Sequence, residues 1–281
     1  MIKAKLVLLT VVAMIAFAAN SLLCRMALRE AHIDAASFTA IRLASGALML
    51  WLIVCLRGGS VGRHGSWSSA MALFAYAAGF SFACVTLPAA AGALLLFGAV
   101  QATMIGYGLW HGERLNLTQS SGLVVACSGL IGLMLPGVSA PPLGGALLMI
   151  VAGLAWGIYS LRGRGGTNAI ESTAGNFMRA LPFAAVLSLL MLSRGALDLA
   201  GIEYAIASGA LASGLGYAVW YAALPGLRAT NAATVQLSVP VIAGLGAVAF
   251  LDEPISLRLV VSSLAILGGI ALVITARRVG R

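Results

Sequence analysis

An all-α polytopic membrane protein, with ten transmembrane helices arranged as two inverted five-helix repeats, is the fold class this sequence predicts. Three observations predict it. Hydrophobic residues make up 61% of the chain, charged residues only 9%, and the mean hydropathy is +1.02, far outside the soluble range. Apolar runs of membrane-spanning length, about 20 residues, follow one another with short breaks. A helix, an acidic turn and a second helix occur twice.

The first copy of that unit is Ala89 to Leu135, with Trp110-His111-Gly112-Glu113-Arg114-Leu115 at its turn. The second is Ala229 to Thr275, with Phe250-Leu251-Asp252-Glu253-Pro254-Ile255. An ungapped alignment sets Ala93 on Ala233, Gly106 on Gly246, Glu113 on Glu253, Leu117 on Leu257 and Gly129 on Gly269. Small apolar residues match by chance in such a composition. The glutamates carry more weight, because the chain has only eight carboxylates. Internal repetition sets topology before any local feature does.

Ten spans follow in order: 6–28, 35–56, 68–87, 89–110, 116–135, 143–161, 172–193, 202–223, 229–250 and 256–275. The breaks are Arg57–Ser66, Leu87-Pro88, Pro136–Pro142, Gly163–Gly166 and Pro225-Gly226. Their prolines, glycines and charges end a helix or leave the membrane. The Pro136–Pro142 connector divides the chain into repeats at 1–137 and 138–281. Lys3 and Lys5 ahead of an apolar run imitate a signal peptide, but the run to Leu28 is long for a signal core, so an uncleaved span is expected.

The net charge of +9 does not point to nucleic acid, because the basic residues are scattered through short loops. With the N-terminus inside, the inner side collects Lys3, Lys5, Arg57, Arg63, Arg114, Arg162, Arg164, Arg228, Arg277, Arg278 and Arg281. The outer side collects Arg25, Arg29, Arg194 and Arg258. This bias predicts cytoplasmic termini in a bacterial-type inner membrane. Cys24, Cys55, Cys84 and Cys127 stand singly in apolar runs, as small buried hydrophobes do. No metal or cofactor is expected.

The halves agree further: Arg42 aligns with Arg179, Gly79 with Gly216, Phe80 with Tyr217, and Leu87-Pro88 with Leu224-Pro225. Since five spans are an odd number, the second copy enters the membrane upside down. Inverted repeats build secondary transporters, where one pattern supplies both an inner and an outer gate.

These features resemble the drug/metabolite transporter superfamily, of the type built from paired EamA domains. The resemblance rests on the ten-span layout, the Gly112-Glu113-Arg114-Leu115 and Asp252-Glu253-Pro254-Ile255 turns, and the Gly-rich last helix of each half. Trp156-Gly157 is similar to the family's Trp-Gly in the first helix of a repeat, whereas Ala19-Asn20 departs from it. The resemblance implies a central cavity made by spans 1, 3, 4, 6, 8 and 9, with spans 5 and 10 at the periphery. It implies export of amino acids or other metabolites; aromatic amino acid exporters of the YddG type are similar in length and layout.

Aromatic and amide residues are the candidate substrate contacts. Tyr76 and Phe80 are four apart in span 3 and share a helix face; Trp156 with Tyr159, and Tyr217 with Trp220 and Tyr221, do likewise. The competing reading, an interfacial belt, fits Trp51, Trp67 and Trp110 and competes for Trp156 and Trp220. Gln101, Gln236 and Asn20, with Phe17 one turn from Asn20, either line a cavity or bond helix to helix. An unpaired buried amide costs about 1–3 kcal/mol. Pro182 and Pro240 are expected to kink spans 7 and 9.

Arg42 and Arg179 lie inside spans, about 10 Å from a helix end at ~1.5 Å per residue. Each either attracts a substrate carboxylate, bonds backbone or snorkels, or clamps the halves, Arg42 with Glu253 and Arg179 with Glu113. All acids and histidines fall at or near loops. With no intramembrane proton carrier and no nucleotide motif, movement driven by the substrate gradient is expected. A membrane-embedded lipid-modifying enzyme lacks its convergent polar groups in this sequence, and carriers of nucleobases, sugars or cationic compounds remain the alternative cargo class. The expected partners are the lipid bilayer and a small-molecule substrate, with no nucleic acid; oligomeric state is left open.

Overall fold

The computed structural model describes residues 2–61, 64–112, 114–135, 140–163, 168–192, 195–227 and 235–276. They are helical almost throughout: α1 (Ile2–Arg29), α2 (Ala35–Leu56), α3 (Trp67–Cys84), α4 (Ala89–Trp110), α5 (Leu117–Met134), α6 (Leu143–Arg162) and α7 (Ala169–Leu190) are long helices. The eighth span is α8 (Leu199–Ile206), a π-helical stretch (Ala207–Leu215) and α9 (Gly216–Ala223) in direct succession. Then come α10 (Ser238–Leu251) and α11 (Leu257–Ala276). Eight of these helices are long and apolar enough to cross a membrane, and α10 is a shorter apolar helix. The chain is a polytopic helical membrane protein.

Helix ends follow capping chemistry. The Asp34 side chain accepts from the Ala36 and Ser37 amides at α2, Asn116 and Gln119 form a reciprocal capping box at α5, and Asp198 accepts from Gly201 at α8. Each satisfies backbone donors that a helix start leaves open. Pro88 and Pro142 stand just before α4 and α6, where a missing N–H costs nothing. The turns after α4 and α10 both pass through the left-handed region, at Gly112 (φ 85°) and Asp252 (φ 49°). The sequence repeat aligns those two positions.

Among the described residues α5 packs chiefly against α11, with further contacts to α4. Glycines set that crossing: a Cβ on Gly269 would lie 2.4 Å from the Gly122 carbonyl oxygen, and one on Gly122 would lie 2.7 Å from that of Gly269. Such backbone approach is how helices associate where the surroundings are as apolar as their side chains. α6 rests on α3 and α4, and α2 on α7 and the π-helical stretch. Gly153 and Gly157 bring α6 close to Leu96, Ala99 and Thr103 of α4. Large hydrophobics such as Leu48, Val124, Leu245 and Leu264 face outward, as lipid contact requires.

One element differs from the sequence expectation and another follows it. The π-helical stretch breaks span 8 and coincides with a run of small residues, Ala207 to Gly214 apart from Leu211. Gly209 lies so close to α2 that a Cβ would be 2.1 Å from the Arg42 carbonyl oxygen. In span 9 the helix is interrupted at Leu237, one turn before Pro240, whose missing N–H frees the Gln236 carbonyl. Pro182 sits within α7, which continues through it.

Candidate functional site

A cavity of ≈ 410 Å³ occupies the middle of the bundle. Its walls come from α1 (Phe17, Asn20, Ser21), α3 (Tyr76), α4 (Leu96 to Met104), α6 (Trp156, Tyr159, Ser160), span 8 (Ala212 to Tyr221) and Gln236. α2, α5 and α11 contribute nothing to it. The lining continues to Gly163, Ala169, Leu224 and Leu227 at the helix ends. There it adjoins a second cavity of ≈ 450 Å³ bounded by Arg57, Asn168 and Glu171, which shares Ala169, Tyr221 and Leu224 with the first.

Trp156 is the hub of the aromatic wall. Its ring centroid is 4.8 Å from that of Tyr76, 5.3 Å from Tyr159 and 5.3 Å from Tyr217, with Tyr217 inclined by only 18°. Phe17 extends the wall to Tyr217 at 5.7 Å and to Trp220 at 6.0 Å. Offset and edge contacts of this kind hold rings in fixed orientations. Trp156 and Trp220 therefore belong to the cavity, while Trp51, Trp67 and Trp110 are exposed at 42%, 59% and 89%, as belt residues are.

Nine of the ten expected contacts line the cavity: Phe17, Asn20, Tyr76, Gln101, Trp156, Tyr159, Tyr217, Trp220 and Gln236. Phe80 does not. It is buried behind Tyr76, ring centroids 5.8 Å apart, with the Arg42 guanidinium 5.3 Å from its own centroid. One face of α3 carries both residues, but Arg42 of α2 takes up the space in front of Phe80. Neither Gln101 nor Gln236 has a side-chain hydrogen bond among the described residues; both amides face the cavity. Lining, and not helix-to-helix bonding, accounts for them.

Asn20 does both. Its Oδ1 accepts from the Ser208 hydroxyl at 2.7 Å, and its Nδ2 donates to the Tyr76 hydroxyl at 3.4 Å. Arg42 Nη2 donates to the same oxygen at 3.0 Å. The Arg42 guanidinium lies 5.2 Å from the Tyr76 ring centroid and is 2% exposed.

The opposite end of the bundle is closed by a buried ion pair. Glu253 Oε1 accepts from Arg25 Nε at 2.8 Å, and Oε2 accepts from the backbone N–H of Ala89 at 2.8 Å, at the start of α4. Arg25 Nη1 donates to the carbonyls of Cys84 and Val85, at the end of α3, at 2.8 and 3.1 Å. Arg29 lies 3.5 Å from Glu253. Glu253 does clamp one arginine of the first half, but that arginine is Arg25; Arg42 binds Tyr76 instead. Arg25 reads in sequence as a charge at the membrane edge, whereas α1 continues to Arg29 and draws it inside.

Arg179 Nη1 donates to the carbonyls of His64 and Gly175 at 2.6 and 3.1 Å. Beside it His64 Nε2 and Glu171 Oε2 are 2.8 Å apart, and Asn176 Oδ1 accepts from the Ser66 amide at 2.8 Å. These bonds seat the loop before α3 on α7. The expected partner Glu113 lies outside the described residues.

Comparison with known proteins agrees with this architecture. The EamA-like transporter family matches residues 143–275, the run from α6 to α11. An uncharacterized protein of Pseudomonas aeruginosa is 58% identical over 275 residues, covering 98% of this chain and 96% of that protein. A solved crystal structure superposes with a TM-score of 0.69 over 99% of both chains at 19% identity, a likeness of fold alone. A chain whose helices surround an aromatic cavity, and whose sequence matches in this way, belongs to the EamA-like transporter family.

Proposed function

We propose that this transporter is a secondary carrier that exports amino acids, aromatic and other neutral ones, or closely related small metabolites. The observation that carries the reading is a mid-bundle cavity walled by aromatics and unbonded amides, open at one end and closed at the other by Arg25 and Glu253. Binding sites of this size combine apolar walls with a few placed polar groups. Trp156, Tyr159 and Tyr217 offer flat faces to varied side chains. Gln101 and Gln236 offer amides to the polar end of the cargo.

Two inverted repeats, 1–137 and 138–281, working by alternating access, fit the matched turns at Gly112 and Asp252. The positive-charge bias supports cytoplasmic termini and a bacterial-type inner membrane as the location. The cavity then opens inward, beside Gly163 and Leu224, and the Arg25–Glu253 pair closes the outer side.

Counterflow in proteoliposomes with a panel of labelled amino acids tests the reading. Saturable exchange of at least one neutral amino acid, weakened in Gln101→Ala and Tyr217→Ala, is the expected result. Absence of saturable exchange for every amino acid in the panel sinks this substrate class.

A further inference from the structure

We infer that the cavity recognises a carboxylate on its cargo through a hydrogen bond donated by Tyr76, with Arg42 as the charge behind that hydroxyl. The inference rests on the transport reading and narrows its substrate class. A phenolic hydroxyl has one proton to give and two lone pairs to receive with. At Tyr76 both lone pairs are taken, by Arg42 Nη2 at 3.0 Å and by Asn20 Nδ2 at 3.4 Å. Arginine can only donate. The Asn20 oxygen receives the Ser208 hydroxyl at 2.7 Å while its nitrogen faces Tyr76.

The Tyr76 proton is left without an acceptor among the described residues, on a side chain that lines the cavity. That hydroxyl is therefore committed to donating, and the species it suits is an acceptor brought in from outside.

Charge selects which acceptor. Arg42 is buried, pairs with no carboxylate among the described residues, and has Nη1 without any hydrogen-bond partner. A lone charge inside a membrane bundle is costly and marks a functional site. The rings of Tyr76 and Phe80, 5.2 and 5.3 Å from the guanidinium carbon, offset part of that cost. An anionic group against the Tyr76 hydroxyl gains a charge-assisted bond and a nearby counter-charge together. Tyr76 is the contacting residue, and Arg42, Asn20 and Ser208 are its positioning residues.

The test compares two acid and amide pairs, phenylalanine with phenylalaninamide and leucine with leucinamide, in counterflow by wild type, Tyr76→Phe and Arg42→Met. Wild type should prefer each acid by about tenfold or more, the scale of a hydrogen bond to a charged group. Tyr76→Phe keeps the ring and should raise KM for the acids by a similar factor, leaving the amides unchanged, so that the preference disappears. Arg42→Met should erase the preference in the same way; if it fails to fold, Tyr76→Phe alone decides. Equal transport of acid and amide by wild type, or a preference that survives Tyr76→Phe, overturns the carboxylate inference while leaving the transport reading standing. No flux of any of the four compounds overturns it as well, and flux of other amino acids in the wider panel then separates its failure from that of the transport reading.

Discussion

Glu253 and Arg25 meet at 2.8 Å with both side chains almost fully buried, 228 positions apart in the chain. The carboxylate also caps the start of α4 through Ala89, and the guanidinium caps the end of α3 through Cys84 and Val85. One ion pair thus ties α1, the α3–α4 junction and the turn after α10. The segments that must separate to open this end are held together by this pair, with Arg29 3.5 Å from the same carboxylate.

Removing one partner of a buried pair strands the other, at a cost of about 3–5 kcal/mol. Glu253→Gln should therefore weaken the closed end and move the population toward the state in which it is open. Cys24 and Cys84 report on this, since both are buried beside Arg25 while Cys55 and Cys127 are exposed. In a background with Cys55 and Cys127 replaced by serine, a hydrophilic maleimide should label Glu253→Gln at least about tenfold faster than its parent. Unchanged labelling would show that the pair does not hold the gate.

The α5–α11 crossing should govern stability and not transport. A Cβ on Gly269 would fall 2.4 Å from the Gly122 carbonyl oxygen and 2.6 Å from the Ala126 nitrogen. Neither helix reaches the cavity. Gly269→Val should force the two helices apart and lower stability by roughly 1–3 kcal/mol, the usual cost of overpacking. Thermal melting of the purified protein should show the loss, with KM unchanged in counterflow. A large KM effect would mean that these peripheral helices shape the cavity.

Asp34 lies outside the spans and joins the α1–α2 loop to the α7–α8 loop. Partial burial pushes its carboxyl up, but hydrogen bonds from Ser37, Ala196 and Ala36 outweigh this and hold it below the ordinary carboxylate range. A folded-state pKa below the unfolded one adds stability at pH values above the unfolded pKa, about 3.9. That stability is lost as pH falls through the folded value. Asp34→Asn keeps a capping oxygen and removes the charge, so it should melt below wild type at pH 7 by a small margin. The two melting curves should converge as the pH drops below 4. A gap that persisted at low pH would assign the effect to geometry.

The spans and most of the cavity were legible because aromatic and amide side chains inside an apolar helix have few physical outlets. Gln101, Gln236, Tyr76 and Tyr217 had to meet a partner, a belt or a cavity, and the cavity accounts for them. Arg25 was not legible. An arginine near a helix end, followed by Arg29, has the local pattern of an orientation signal, and its partner Glu253 belongs to a distant turn. The π-helical stretch was hidden for another reason: it is written as missing side chains at Gly209, Ala212 and Gly214, which in sequence signal only close packing. Phe80 matched the periodicity of its helix face, but Arg42 from a neighbouring helix took the space before it.

That stretch yields the last prediction. Gly209 lies where a Cβ would stand 2.0 Å from the Ser45 hydroxyl oxygen and 2.1 Å from the Arg42 carbonyl oxygen, and the second obstacle is backbone that cannot swing aside. Gly209→Ala must push span 8 away from α2 at the residue that supplies the guanidinium. It should therefore lower the melting temperature and also disturb the Arg42–Tyr76 bond, raising KM. Gly106→Ala is the matched control, since a Cβ there meets nothing within 4 Å and alanine favours a helix by about 1 kcal/mol over glycine. It should be neutral or slightly stabilising with normal transport. If Gly209→Ala melted and transported like wild type, the close approach of span 8 to α2 would not be what positions Arg42.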